Sequence, residues 1–265
     1  MEFENIFSNE DNCTKYLLEV KWPSGFSCAK CDCKDYWLLS RKRIKCKQCS
    51  SIVTITSKTF FDQSNKPLTL WFRAIWWMIA QKNGVSATGL QSILGIGSYK
   101  TVWIWLHKLR TLMVFPNRDK LSGQVEIDET FVGGVAEGKR GRGSENKSLV
   151  IIAVEVLPKG TGRVRLKIIP TSIITDGWLG YAQLGRKGYG HIIKRQILAT
   201  KNEEMLPNVH RIAALLKKWL LGTHQNYTSH ERHQKSLDEF AFLYNRRKSN
   251  SGLLFHRIIE QANES

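Results

Sequence analysis

The sequence predicts a multidomain α+β chain, and three observations carry that prediction. Two Cys-x-x-Cys pairs, Cys28/Cys31 and Cys46/Cys49, lie close together near the start. An apolar run from Leu68 to Ala80 is followed by two short amphipathic segments punctuated by glycines. Beyond Pro116 the pattern changes to the two-residue alternation of strands. The boundaries that follow are 1–60, 61–118 and 119–265.

Composition narrows the function classes. The 265 residues are 42% hydrophobic and 24% charged, enough apolar content for a core and against global disorder. The longest unbroken apolar run, Ala74 to Ala80, is far shorter than the roughly 20 residues of a membrane span. The opening MEFENIFSNE is acidic and lacks the basic start and apolar centre of a secretory signal. An intracellular protein is expected, cytoplasmic or nucleoid-associated in a bacterial host. Forty Lys and Arg against 23 Asp and Glu give +17, which favours a polyanionic partner.

The first region is read from its cysteines. Fourteen residues separate Cys31 from Cys46, close to the spacing of a four-thiolate zinc site. Four thiolates at about 2.3 Å close the tetrahedron and leave no position for substrate, so the zinc would be structural. A pair of disulfides, disfavoured in a reducing compartment, or unconnected thiols are the alternatives. Cys33 could replace Cys31, and Cys13 reads as a spare thiol. The Cys28–Cys49 segment is basic, and Arg41, Lys42 and Arg43 are candidate phosphate contacts, although a solvated charged face would look the same.

The second region reads as a helix over 67–82, with Pro67 in its first turn, ended by Gly84. A short helix follows with Ser86 as N-cap, then a Gly95-Ile96-Gly97 turn. Ser98 caps a helix over 99–112 with Val102, Trp105, Leu106 and Leu109 on one stripe. Two helices joined by a glycine turn fit a helix-turn-helix, and an ordinary helical hairpin fits as well. On the first reading Lys100, Thr101 and Lys108 face DNA, with Tyr99 and Arg110 beside them.

The third region begins with strands at 124–132, 148–156 and 163–169, and a basic loop from Lys139 to Lys147 carries Arg140 and Arg142. A fourth strand is read at 172–175, ending at Asp176, then a short helix at 178–185 and a strand at 191–195. A helix from Pro207 to Leu221 precedes the C-terminal helices. Asp128 lies inside a hydrophobic strand and Asp176 closes another. A strand-borne carboxylate needs a partner. It is often a cap or an ion pair, but two of them in a mixed αβ region also suit a shared Mg²⁺ or Mn²⁺. His210 and Lys217, seven apart, share a helix face, which is either a polar edge or part of that site.

In combination these segments resemble insertion-sequence transposases that carry an N-terminal zinc ribbon, a helix-turn-helix and a DDE-type RNase H-like catalytic domain. The matching stretches are WPSGFSCAKC with KCKQC, SKTFFDQSNKPLTLWFRAIWWM, VEIDETFVGG, IITDGWLGY, HRIAALLKKWLLGTH and LDEFAFLYNRR, covering about 20–260. The resemblance implies a structural zinc on Cys28, Cys31, Cys46 and Cys49, and a catalytic magnesium or manganese on Asp128 and Asp176. His210 would stand at the variable third position, with Glu239 in reserve, and Lys217 at the family's lysine. It implies cleavage and strand transfer at element ends, by a homodimer or larger synaptic assembly on double-stranded DNA.

One departure qualifies that expectation. In the family's fold a helix crosses back between the third and fourth strands, and a parallel crossover needs a dozen or more residues. Here Pro170, Thr171 and Ser172 alone separate Ile169 from Ile173, a reach of about 10 Å. The third domain is therefore expected to be RNase H-like α/β with an internal deletion near Pro170. Three functions compete: an active transposase, a catalytically inactive transposase-derived DNA-binding protein, and an RNase H-like nuclease or resolvase.

Overall fold

The computed structural model describes residues 2–40, 42–115, 117–133, 147–169, 206–223 and 230–264. Arg41, Arg140, Arg142 and Asp176 lie outside them, as do the elements expected at 172–175, 178–185 and 191–195. The chain divides into two compact units, Met1–Pro116 with Lys248–Ser265, and Asn117–Arg247.

Two helices precede the paired cysteines. Helix α1 covers Glu2–Ile6 and α2 covers Glu10–Lys21, where the Asn9 side chain accepts the Asn12 N–H at 2.9 Å and caps the first turn. Three short antiparallel strands follow: β1 (Tyr36–Leu39), β2 (Arg43–Cys46) and β3 (Ile52–Thr54), in that order. Helix α3 (Leu68–Ala80) is the apolar run, with Leu68, Trp71, Phe72, Ala74, Ile75, Met78 and Ile79 buried. Pro67 offers it no side-chain cap. Glu10 supplies one from α2, accepting the N–H groups of Leu68 and Thr69 at 2.9 and 3.2 Å.

Helices α4 (Ala87–Leu94) and α5 (Tyr99–Thr111) begin at the serines the sequence marks. Ser86 accepts the Gly89 N–H and Ser98 the Thr101 N–H. Gly95 closes α4 at φ +63, the left-handed backbone that glycine adopts without steric cost. The Gln91 side-chain amide then donates to Gly97 O across the turn. Val102, Trp105, Leu106 and Leu109 are buried as the stripe requires, and Trp105 stacks on Trp71 of α3 at 3.6 Å.

The second unit opens with an antiparallel meander, β4 (Val125–Gly133), β5 (Lys147–Leu157) and β6 (Gly160–Ile169), in the order β4-β5-β6. Helices α6 (Pro207–Thr223) and α7 (His230–Asn245) cover one sheet face. Val150, Ile152, Val154, Val164 and Leu166 meet Val209, Ile212, Leu216, Trp219 and Leu220 from α6, and Leu237, Phe240 and Ala241 from α7. Among the described residues β6 borders the sheet, and α7 seals that border with side-chain amides. Asn245 accepts from Val164 N at 2.7 Å and donates to Val164 O at 3.1 Å. Gln234 accepts from Ile168 N and donates to Leu166 O. The Arg247 guanidinium donates to Thr161 O, and the Thr161 and Tyr244 hydroxyls hydrogen-bond. The stretch LYNRR is thus an edge clamp. Asn245→Leu leaves both backbone groups of buried Val164 without that partner. The expected loss is about 1–3 kcal/mol in urea unfolding of this unit.

Helix α8 (Ser251–Glu264) returns to the first unit. The sequence grouped it with residues 119–247. Its buried face of Leu254, Phe255, Ile258, Ile259 and Ala262 instead packs with the N-terminal helices, where Phe255 contacts the rings of Phe3, Phe7 and Phe72. Ala262 O accepts from Phe60 N at 2.7 Å, and His256 Nδ1 lies 2.8 Å from the Tyr16 hydroxyl. An apolar stripe shows that a helix is buried but not against what. Among the described residues no helix is long and apolar enough to cross a membrane.

Candidate functional site

The ribbon's two cysteine pairs sit on matching turns. Cys28 N donates to Cys33 O and Cys46 N to Ser51 O, while Asp32 N donates to Cys28 O and Ser50 N to Cys46 O. Asp32 and Ser50 both take left-handed backbone, at φ +55 and +57. The repeated turn aims both sulfurs of a pair to one side. The four sulfurs lie within 4.8 Å of one another, with Cys28–Cys49 at 3.5 Å and Cys31–Cys46 at 3.6 Å. A zinc tetrahedron with legs of about 2.3 Å has edges of about 3.8 Å, so this donor set fits structural zinc. Ser51 Oγ lies 3.2 Å from Cys28 Sγ and 3.1 Å from Cys49 Sγ. Cys33 is not part of the cluster and points at Asp35 O. Cys13 is fully buried, and burial pushes its thiol up to about 12.

The candidate phosphate contacts divide. Lys42 pairs with Glu10 at 3.1 Å, and Arg43 Nε donates to Ser40 O. Both are engaged within the unit. Lys100 and Lys108 are exposed on α5, and Thr101 is half-buried with its N–H in the Ser98 cap. Arg110 is 1% exposed, so it belongs to the interior and not to a helix surface.

In the second unit Asp128 and His210 come together. Asp128 lies on β4, opposite Ile152 of β5, on the face that α6 covers. His210 stands in the first turn of α6, its Nε2 3.4 Å from Asp128 Oδ2, and both side chains remain about half exposed. Two ligands of one octahedral ion at about 2.1 Å each stand about 3.0 Å apart, so the pair is close to a shared-ion spacing. Lys217 is exposed two turns along α6. Glu239 is fully buried on α7 and does not join Asp128 and His210 in a three-ligand group; among the described residues the cysteine set alone forms such a group.

One residue of this site escaped the sequence reading. Glu126, two positions before Asp128 and so on the same face of β4, accepts from Val209 N at 2.9 Å and from Asn208 Nδ2 at 2.7 Å. It caps the start of α6, where Pro207 and Leu206 provide no side-chain acceptor, and its charge suits the positive end of the helix. That contact sets α6 against β4 one residue away from His210. The signal available was the pair of acids two apart in VEIDE, facing a helix that begins without a cap of its own.

Two segments of the chain match known transposase domains. Residues 8–51 match the transposase zinc-ribbon domain, and residues 120–172 match the ISXO2-like transposase domain. The second match stops at Ser172, beside the short Pro170 link. An uncharacterised protein of the transposable element ISH50 from Halobacterium salinarum is 26% identical over 186 residues, 64% of this chain. The alignment spans 61% of that relative's length. No solved structure matches the chain significantly. The resemblance to insertion-sequence transposases is borne out, and the zinc ribbon with it.

Proposed function

We propose that this chain, related to insertion-element transposases through both its ribbon and its sheet segment, is a DNA transposase that binds element ends and cleaves and joins DNA. The Asp128–His210 pair, fixed by Glu126 between β4 and α6, is the observation that carries the reading. The meander β4-β5-β6 with helices on one face is compatible with the first half of an RNase H-like sheet. Helices α4 and α5, with exposed Lys100 and Lys108, would read the element end as a helix-turn-helix. Asp128 and Asp176 would hold magnesium or manganese with His210 beside them, and the ion when bound supplies charge for in-line displacement at phosphorus. Lys217, on the His210 face, would hold a phosphate of the DNA end. A homodimer or larger assembly would bring two ends together.

A second reading, a DNA-binding protein without chemistry, is favoured by the strand register. Ile169 stands level with Phe131 through Leu149. For Asp176 to lie level with Asp128 on a new strand parallel to β4, Ile173 would stand level with Val125. That point is three strand spacings across and six residues back, about 25 Å from Ile169. Four residue steps reach about 14 Å.

Strand transfer separates the two. Purified protein is mixed with Mg²⁺ or Mn²⁺ and terminal-repeat DNA from the element that encodes it, in parallel with Asp128→Asn. Metal-dependent nicking, lost in the variant, is the expected result. Zinc-dependent binding without nicking would leave the second reading.

A further inference from the structure

We infer that the outward face of the ribbon sheet is a binding surface for unpaired DNA bases, with Trp37 as the stacking platform. This rests on the reading of the chain as a DNA-binding protein and adds to the basic segment, whose phosphate contacts the sequence marked, a face that stacks on bases. The register aligns Trp37, Lys45 and Ile52 in one row across β1, β2 and β3. Side chains directly opposite one another share a face. Ile44 and Cys46, the alternate residues of β2, are fully buried on the other side. The row is therefore the outer face, and its apolar members are open: Trp37 is 59% exposed and Ile52 55%. Arg43 shares the parity of Lys45 along β2, and Lys47, just past the end of β2, holds its Nζ 4.7 Å from the centre of the Trp37 ring. The nearest acid in sequence is Asp35, just before β1.

An exposed indole among cations has few stable uses. A second copy of this face would set like charges against like. The bases of an intact duplex are stacked on one another and offer the ring no face. Unpaired bases offer a face to the indole while their phosphates meet the lysines, the combination by which single strands are held. Lys42, held by Glu10, is left out of this surface. A frayed or nicked DNA end supplies such bases next to duplex.

The test uses full-length, zinc-loaded protein and two labelled probes, a blunt duplex and the same duplex with a single-stranded tail of about eight nucleotides. Binding is read by fluorescence anisotropy. Trp37→Ala is expected to weaken the tailed probe about tenfold, Trp37→Phe to restore most of that loss, and neither to change the blunt duplex. Lys45→Ala is expected to flatten the salt dependence on the tailed probe by about 0.7 in log–log slope. Unchanged zinc content confirms the fold of each variant. Equal losses on both probes, or no loss on either, overturn the inference while leaving duplex binding as a separate result. Absence of binding to both probes by the unsubstituted protein overturns it together with the reading it rests on.

Discussion

Replacing Cys46 with serine is expected to release the zinc and unfold the ribbon. Cys46 is fully buried, ends β2, and bonds Ser50 and Ser51 through its backbone, so one side chain links the metal site to the sheet. The sheet cannot stand alone. It has three strands of four, four and three residues, and Ile44 is its one fully buried apolar residue besides Cys46. In such small domains metal binding supplies most of the folding free energy, about 10–16 kcal/mol in zinc-finger peptides. Zinc content should fall below one per chain, and protease should cut between residues 28 and 55 while the β4–β6 sheet keeps its amide protection. A chelator should do the same to the unsubstituted protein. Cys33→Ser is the control. Its sulfur lies outside the cluster, so zinc should stay bound, which settles the choice between Cys31 and Cys33 that spacing left open.

The second large effect is expected at Arg163. Glu155 is 6% exposed and accepts from the Arg163 guanidinium, the Arg163 backbone N–H and the Ser122 N–H. Arg163 also approaches Asp119 and donates to Lys120 O, which ties the entering segment to the sheet. Gly162 leaves room for this, since a Cβ there would lie 2.8 Å from the Glu155 Cβ. Arg163→Met strands a buried carboxylate, and the expected loss at neutral pH is about 3 kcal/mol. Acid should erase the difference. Hydrogen bonding from Arg163 is the largest cause that holds the Glu155 carboxyl down at about 2, from an ordinary 4.5. A depressed carboxyl contributes stability that is complete above its unfolded value and fades as pH falls through its folded one. The native protein should weaken between about pH 4.5 and 2, and the variant less so. Urea unfolding monitored by hydrogen exchange in β5 and β6, at pH 7 and pH 3, checks both the size and the convergence. A gap that stays constant with pH would show that packing, not charge, accounts for the loss.

What the sequence disclosed was local. The serine caps at Ser86 and Ser98, the glycine stop at Gly95 and the cysteine turns each act within about five residues, and the structure has them where the pattern points. What it concealed was long-range. Glu10 bonds the first residue of a helix 58 residues further on, Glu126 bonds Asn208 82 residues further on, and an isolated glutamate carries no mark of that duty. Arg110 reads as a surface cation because charge is usually solvated, yet it is buried. Asp128 and His210 are 82 residues apart as well, and only the combination of motifs linked them. Asp176, to which the same motifs assign the second ligand position, lies outside the described residues.

Helix α8 gives the chain an order of manufacture. Synthesis runs from the N-terminal side, so the ribbon and the helices around α3 emerge well before Phe255, Ile258 and Ile259. Until then Phe3, Phe7 and Phe72 face water where Phe255 belongs. A copy cut short by a stop codon or frameshift just past Arg247 would keep a whole β4–β6 sheet and lose the closure of its first unit. Such a product would expose an aromatic cluster and be a ready target for proteolysis. Broken reading frames would then yield few stable fragments of the first unit.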